Sequence, residues 1–166
     1  MLSEFGFRAV YEAKAKNLTN WLVANGVEYA AACDIVQETF LRLWRQRAEF
    51  ADGDSPNAFI FAVARNLRID AHRRNSRYVF QPEITEPDAD AACPRALESD
   101  PAFLRERLLN ALFLLPESLR TAYTLFQIGG NSIRDITAIT GAGESLVKVR
   151  IHRARKRLRE LLADLR

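Results

Sequence analysis

Hydrophobic positions along the chain recur at the three- and four-residue spacing of amphipathic helices, and the alternation typical of half-buried strands is nearly absent. This periodicity predicts an all-α protein. The expected helices lie near residues 5–24, 28–48, 56–75, 102–114, 117–128, 132–140 and 144–164.

One stretch without this periodicity separates the first three predicted helices from the last four. Residues 81–101 contain four prolines and almost no large apolar side chains, so this segment cannot bury enough surface to order itself. We therefore predict two small helical domains, residues 1–80 and 102–166, joined by an acidic, proline-containing linker over residues 81–101.

The sixth predicted helix and the break after it indicate a helix-turn-helix. Ser132 precedes Asp135 by three residues, which is the spacing of a capping box at a helix start. Gly141 and Gly143 then interrupt the helical pattern. A short helix, a tight glycine turn and a longer helix match the helix-turn-helix arrangement.

The last predicted helix combines an apolar stripe with two basic flanks. The stripe contains Val147, Ile151, Ala154, Leu158, Leu161 and Leu165. On a helical wheel the opposite strip contains Ser145, Val149, His152 and Lys156. One flank contains Lys148, Arg155 and Arg159, and the other contains Arg150, Arg153 and Arg157. Such flanks suit phosphate contacts and such a strip suits base edges, so the pattern predicts a DNA recognition helix. The alternative is a solvated amphipathic helix, but the preceding cap and glycine turn favour the recognition helix.

The charge distribution supports a polyanionic partner for the second domain, although the net charge of the whole chain is only +3. Residues 102–166 carry 12 basic and 6 acidic side chains, whereas residues 81–101 carry 1 basic and 6 acidic side chains. A basic module of this kind is typical of proteins that bind nucleic acid.

The second predicted helix has a core stripe and a second face that resembles a partner surface. Ala32, Val36, Phe40 and Leu43 form the stripe. Roughly opposite lie Asp34, Gln37, Leu41 and Trp44, with Glu38 beside them. An exposed Leu and Trp among polar groups indicate a docking surface. Periodicity equally allows Trp44 to fold back onto the first helix.

The third predicted helix interleaves aromatic and basic side chains. Ile60, Val63, Leu67 and the stem of Arg74 share one face with Phe59. Other side chains point elsewhere, namely Phe61, Arg65, Arg68 and His72. Residues 65–77 hold five arginines and one aspartate. This combination suits unstacked single-stranded bases. The alternative is an amphipathic helix whose arginines are solvated.

Three segments in order resemble the bacterial RNA polymerase sigma factors of the extracytoplasmic-function type. They read DIVQETFLRLW, FIFAVARNLRIDAHRR and LPESLRTAYTLFQIGGNSIRDITAITGAGESLVKVRIHRARKRL. The resemblance covers nearly the whole chain and includes an acidic linker. It implies a region 2-like domain that reads and melts the −10 promoter element, and a region 4-like domain that reads the −35 element.

The resemblance also implies roles for individual positions. Asp34, Gln37, Glu38 and Trp44 match the surface that binds core RNA polymerase, and Leu41 lies on the same outward arc. The opened −10 strand would contact Arg65, Asn66, Arg73, Arg74 and the loop Asn75–Tyr78, which includes Arg77. The aromatic and basic pattern of the third predicted helix adds Phe61 and Arg68 to these −10 candidates. The −35 element would contact Ser145, Lys148, Arg150 and Arg153. The helical wheel of the last predicted helix adds Val149, His152 and Arg155 to these −35 candidates.

Four positions depart from the usual pattern of that family. The family commonly has Trp where Phe59 stands, and a small Ala where Thr137 stands. Gly143 replaces a usual Ser at the recognition-helix cap, and Leu146 replaces a usual Thr. The fold tolerates these changes, since Gly is an acceptable cap, but they bear on the −35 contacts.

Other functional classes are less consistent with the sequence. A sigma-like decoy that binds only an anti-sigma factor should have lost the basic flanks, which this chain keeps. An enzyme is not indicated, because His72 and His152 are isolated and no phosphate loop is present. We expect no small-molecule substrate and no cofactor. Promoter DNA, core polymerase and an anti-sigma factor are the expected partners.

The cysteines and the apolar runs predict the compartment. Cys33 and Cys93 lie far apart, outside any metal-ligand spacing, so we expect reduced thiols and no structural zinc. Neither a signal segment nor an apolar run long enough for membrane insertion is visible. The protein is therefore expected in the cytoplasm.

Overall fold

The computed structural model describes residues 1–52, 55–78 and 101–163, with side chains described for all of these except 75–78 and 101–102. Within these ranges the chain forms seven α-helices and no strand, which confirms the all-α prediction. The helices are α1 Glu4–Ala24, α2 Tyr29–Arg45, α3 Asn57–Tyr78, α4 Pro101–Phe113, α5 Glu117–Gln127, α6 Ile133–Thr140 and α7 Glu144–Leu161. Most of the predicted linker, residues 79–100, lies outside the described ranges.

The first three helices pack around the apolar stripe of α2. Ala32, Val36, Phe40 and Leu43 are all buried there, as their spacing predicted. Helices α1 and α3 lie on either side and contribute Leu18, Trp21, Leu22 and Ile60 to the same cluster. Helix α2 ends at Arg45, before the predicted boundary at residue 48, and a short 3₁₀ turn, Arg47–Glu49, follows it.

The last four helices pack around α7. Its residues Val147, Ile151, Ala154 and Leu158 are buried against α5 and α6, while Ala111, Leu112 and Leu115 of the α4 segment cover the C-terminal half of the stripe. Half-buried Leu161 contacts the same cluster, and Leu165 lies outside the described residues. The stripe therefore fixes which side of α7 faces outward.

The two groups of helices also pack against each other. Helix α3 lies against α6, and α1 contacts α5. Ala122, Leu125 and Ile136 of the later helices belong to the same buried cluster as Trp21 and Phe61. The core is therefore continuous between the two predicted domains.

Candidate nucleic-acid and polymerase interfaces

A capping box and two glycines mark the start of α6, its end and the start of α7. The Ser132 hydroxyl accepts from the Asp135 backbone N–H at 3.1 Å, and the Asp135 carboxylate accepts from the Ser132 N–H at 3.0 Å. This is the predicted capping box. Gly141 ends α6 with φ of 73°, a left-handed conformation that glycine adopts at low cost. Gly143 then caps α7 in extended conformation.

Burial of the α7 stripe leaves the predicted −35 residues facing outward. Six of the seven are exposed, and Arg150 is half-buried. The exposed six are Ser145, Lys148, Val149, His152, Arg153 and Arg155. Solvent thus covers the strip and both flanks, which is the geometry a helix needs to enter a major groove.

Two of these side chains have neighbours within the protein. The Lys148 ammonium lies 4.0 Å from the Glu144 carboxylate one turn earlier, and both groups are exposed, so water screens the pair and it is weak. The Arg155 guanidinium lies 5.5 Å from the centre of the Phe126 ring of α5. Arg155 therefore belongs partly to the α5–α7 packing, whereas Lys148 can exchange its weak partner for DNA.

Helix α3 separates the predicted −10 residues into two groups. Asn66, Arg73 and Arg74 are exposed on one side. Arg73 and Arg74 border a shallow groove together with Arg42 of α2. Asn75 and Arg77 belong to α3 by their backbone, while their side chains lie outside the described residues. The expected loop over residues 75–78 is wrong, because the helix continues to Tyr78.

The second group faces the later helices, which corrects the prediction for Phe61. This residue was expected to point outward, but it is completely buried. Its ring meets Trp21 edge-on at 5.6 Å between centroids. Arg65 is half-buried. The physical reason is that α6 and the turn after α5, at Gly129, cover the face of α3 that the amphipathic pattern left open.

Arg68 is the most perturbed charged group of this buried side. The exposed fraction of its side chain is 14%. One guanidinium nitrogen lies 3.6 Å from a carboxylate oxygen of Glu117 in α5, and another donates to the Asn25 carbonyl at 3.5 Å. Burial lowers the pKa of Arg68 most strongly; Arg120 and Arg65 lower it further by repulsion, and Glu117 opposes them.

Helix α2 presents the predicted polymerase-binding face. Asp34 and Gln37 are exposed, and Leu41 keeps 50% of its surface in water. Glu38 is half-buried and accepts a hydrogen bond from Arg42 at 2.8 Å. These side chains share one outward arc, as their spacing predicted.

Trp44 packs against the first helix and is also partly exposed on the docking surface, so both alternatives that its spacing allowed hold in part. Its indole packs edge-on against Phe7 of α1 at 5.0 Å between centroids, and the Arg47 guanidinium covers the ring at 4.1 Å. The side chain is nevertheless only half-buried. It borders an apolar groove of about 330 Å³ with Phe7, Tyr11, Gln37, Phe40 and Leu41.

Sequence reasoning missed two polar contacts that join the first three helices to the later ones. Asn25 donates through Nδ2 to the Thr124 hydroxyl at 3.1 Å, across 99 positions of sequence. Glu117 likewise pairs with Arg68 of the other predicted domain. Both residues look like ordinary helix-end residues in the sequence, so no local signal marks them.

Two other features are absent from the described residues, namely a cluster of metal-binding side chains and a membrane-spanning helix. Over the described ranges, no three side chains of His, Cys, Asp or Glu converge in a way that could hold a metal ion. Cys33 is a free, half-buried thiol. In the same part of the chain no helix has the length and apolar character needed to cross a membrane.

Two segments of the chain match known protein families. Residues 10–78 match the family model of sigma-70 region 2, and residues 105–158 match that of sigma-70 region 4. The two matches cover α1–α3 and the helices from α4 to α7, in the order expected from the resemblance.

Individual relatives match over most of their length. The RNA polymerase sigma factor CarQ of Myxococcus xanthus is 35% identical over 144 residues, which cover 87% of this chain and 80% of that protein. The ECF RNA polymerase sigma factor SigL of Mycobacterium tuberculosis is 32% identical over 161 residues, which cover 95% and 89%.

Solved structures show the same architecture. The sigma factor RpoE from Bartonella quintana, solved in complex with the anti-sigma factor NepR, superposes with a TM-score of 0.70 at 25% identity and covers 95% of this chain and 96% of that one. CnrH, solved with the cytosolic domain of CnrY, gives a TM-score of 0.68 at 24% identity, over 95% and 88%.

Proposed function

The chain belongs to the ECF group of sigma-70 RNA polymerase sigma factors, and from this premise we propose a role for each of its surfaces. It is a transcription initiation factor that binds core RNA polymerase and directs promoter-specific transcription. The proposal concerns which residues perform each step and how the chain is divided between them.

The chain is divided into two working parts. Residues 1–80 bind core polymerase and the −10 element, residues 102–166 bind the −35 element, and residues 81–101 form the acidic linker. The family matches at residues 10–78 and 105–158 support this division. The linker carboxylates, in a segment of net charge −5, would run through the polymerase cleft in place of nucleic acid.

The −35 element is read by α7. The observation that carries this role is the exposure of five of the six basic flank residues beside the buried residues Val147, Ile151, Ala154 and Leu158. Arg153 and Arg155 contact phosphates, which position the helix without reading sequence. Lys148 lies near the N-terminal end of α7, where a side chain reaches base edges. Leu146 and Val149 are exposed next to it and suit apolar contact with a thymine methyl group.

The opened −10 strand is bound along the exposed side of α3. Asn66, Arg73 and Arg74 provide hydrogen-bond donors and positive charge there. A single strand has accessible phosphates and unpaired base edges, so both kinds of contact are available to these residues. Arg65, Arg68 and Phe61 join this surface only if the later helices move away.

Core polymerase docks on the outward arc of α2. The apolar groove bordered by Leu41 and Trp44 supplies the buried contact, and Asp34 and Gln37 supply a polar rim. A central apolar anchor surrounded by polar groups is the usual composition of a protein interface.

An anti-sigma factor is a further partner that we infer. RpoE, which is similar over both parts of this chain, was solved bound to one. We also propose that the chain has no catalytic activity of its own and acts in the cytoplasm, where the polymerase is. Its own residues provide binding surfaces, and the polymerase provides the chemistry.

Promoter-dependent transcription with purified core polymerase tests this function. A pool of DNA fragments with randomised upstream sequence serves as template, and the starts of the transcripts are mapped. The expected result is discrete starts preceded by two shared sequence elements that core polymerase alone does not select.

A variant with Arg150, Arg153 and Arg157 replaced by Ala serves as the control. It should bind core polymerase as the native chain does and lose selection of the upstream element. Core polymerase that gains no start-site selection from the native chain would contradict the proposed function and favour the decoy alternative.

A further inference from the structure

A small polar pocket lies where the turn between α1 and α2 meets α3. Its volume is about 300 Å³, at the lower end of the range of small-molecule sites. Its polar lining comes from Asn25, Glu28, Arg68 and His72, and Ala31 adds the first turn of α2. The pocket shares no lining residue with the groove beside Arg73 and Arg74 or with the groove beside Trp44, so it is separate from both.

Two buried polar atoms of the residues that line this pocket have no partner among the described residues. The Asn25 amide nitrogen donates to the Trp21 carbonyl at 2.8 Å and to the Thr124 hydroxyl at 3.1 Å, but the amide oxygen, Oδ1, accepts from no described donor. The Nε atom of Arg68 likewise has no acceptor there. Because buried polar groups are almost always paired, one free acceptor and one free donor indicate a ligand that can both donate and accept.

The charge of the pocket indicates that this ligand is an anion. The Arg68 guanidinium is largely buried, and its ion-pair partner Glu117 is 71% exposed, so water weakens the compensation of that buried charge. Glu28 precedes α2 without making a side-chain cap, which leaves the first N–H groups of the helix available at its positive end. A second anionic group beside Arg68 would therefore be stabilised by both features.

We propose that this pocket binds a small anion that carries its own hydroxyl proton, the class of hydrogen phosphate and of phosphate monoesters. The charged oxygens accept from Arg68 and from the first turn of α2, and the ligand hydroxyl donates to Asn25 Oδ1. His72 is exposed and borders the entrance. This site goes beyond the proposed role in transcription and does not depend on it.

The unpaired oxygen of Asn25 predicts selectivity among anions of similar shape. Hydrogen phosphate keeps an O–H at neutral pH, whereas sulfate and the phosphodiesters of a nucleic acid have none to donate. Placing one of those anions here would leave Oδ1 unpaired and would bring two acceptors together. The pocket should therefore prefer phosphate over sulfate although both are tetrahedral oxyanions.

Calorimetric titration of the full chain tests this selectivity, with thermal unfolding as the second measurement. The probes are inorganic phosphate, glycerol phosphate and sulfate at equal ionic strength. Phosphate or glycerol phosphate should bind in a saturable way and raise the melting temperature, because a ligand of the folded state stabilises it. Sulfate should bind at least about tenfold more weakly, since it cannot satisfy Oδ1. The tighter of the two phosphates assigns the ligand as the free ion or as a monoester.

Variants at the pocket should change the phosphate affinity in opposite directions. Arg68→Gln should weaken it about tenfold or more, because a charge-assisted hydrogen bond is lost. Glu28→Gln should strengthen it about twofold, since one exposed negative charge is removed from the entrance. Lys16→Gln, at an exposed position of α1, also removes one positive charge and should bind phosphate as the native chain does.

Equal binding of phosphate and sulfate would overturn the inference, because both ions stabilise proteins by a general salt effect. Native affinity in a folded Arg68→Gln chain would overturn it as well. If Arg68→Gln does not fold, Glu28→Gln decides, and a variant that binds phosphate no more tightly than the native chain contradicts the site. Promoter selection in transcription judges the proposed function separately, whatever the phosphate titrations show.

Discussion

At the residue scale, Trp44 packs within the fold and also lies on the surface that we propose binds core polymerase. Its indole is held between Phe7 and the Arg47 guanidinium, while one edge borders the groove on α2. Leu41 borders the same groove and keeps half of its surface exposed. Mutation of each residue can therefore distinguish an effect on polymerase affinity from an effect on the stability of the fold.

Replacing Leu41 with Ala should weaken binding to core polymerase by more than about 1 kcal/mol while leaving the melting temperature almost unchanged, because an exposed anchor contributes only in the complex. Trp44→Ala should lose at least as much affinity and, in addition, lower the melting temperature, since its aromatic contact with Phe7 is removed. Binding titrations and thermal unfolding of both variants provide the measurement. A Trp44→Ala variant that keeps native affinity once folded would show that Trp44 serves only the fold.

At the element scale, α7 has three sides with different tasks. The buried side fixes the helix, the flanks carry charge, and the strip near its N-terminal end is exposed to solvent, where we propose that it contacts bases. These tasks predict different effects of mutation, because phosphate contacts are independent of sequence and base contacts are not.

Arg153→Ala should weaken −35 DNA binding about equally on preferred and scrambled duplexes and reduce the salt slope by roughly one unit. Arg155→Ala should do the same to a smaller extent, since its guanidinium also lies over Phe126. Lys148→Ala should cost about 1–3 kcal/mol on the preferred duplex and less on the scrambled one.

Fluorescence titrations of the polymerase-bound chain over several salt concentrations measure these effects. Equal losses for Lys148→Ala and Arg153→Ala on both duplexes would contradict the base-reading role of Lys148. No loss from either variant would mean that α7 does not face DNA.

The contrast between α7 and α3 explains how much the sequence can predict. The four buried residues of the α7 stripe, the stripe of α2 and the capping box at Ser132 follow from spacing alone, because each depends on neighbours within one or two turns. The position of Phe61 does not. Helix α3 is covered on two sides, and its second cover includes α6, which begins at Ile133, far along the chain from the end of α3 at Tyr78.

The end of α3 shows a second limit. The polar segment Asn75–Tyr78 suggested a loop, but it contains neither Gly nor Pro to stop the helix. The backbone therefore continues in helical conformation to Tyr78. Arg73 and Arg74 just before it are exposed, although the helical spacing placed the stem of Arg74 on the core face. Exposure and helix ending are independent properties.

At the scale of the whole molecule, the two parts share one continuous core, although the sequence predicts an acidic linker between them. Leu125 of α5 is buried in the same cluster as Trp21 of α1. The indole of Trp21 meets Phe61, and both rings belong to this shared cluster. Trp21 fluorescence should therefore respond to changes that are made only in the later helices.

Leu125→Ala should lower the free energy of unfolding by about 2–5 kcal/mol, because truncating a buried leucine removes apolar contacts and leaves a cavity. In a Trp44→Phe background, where Trp21 is the sole indole, the Trp21 emission and the far-ultraviolet helical signal should change at the same denaturant concentration in both the parent and the Leu125→Ala chain. Leu104→Ala, at an exposed position of α4, is the control and should shift the midpoint little. If the helical signal instead divided into two transitions, and Leu125→Ala left the Trp21 transition in place, the two parts would fold independently, and the shared core would add nothing to the stability of the first three helices.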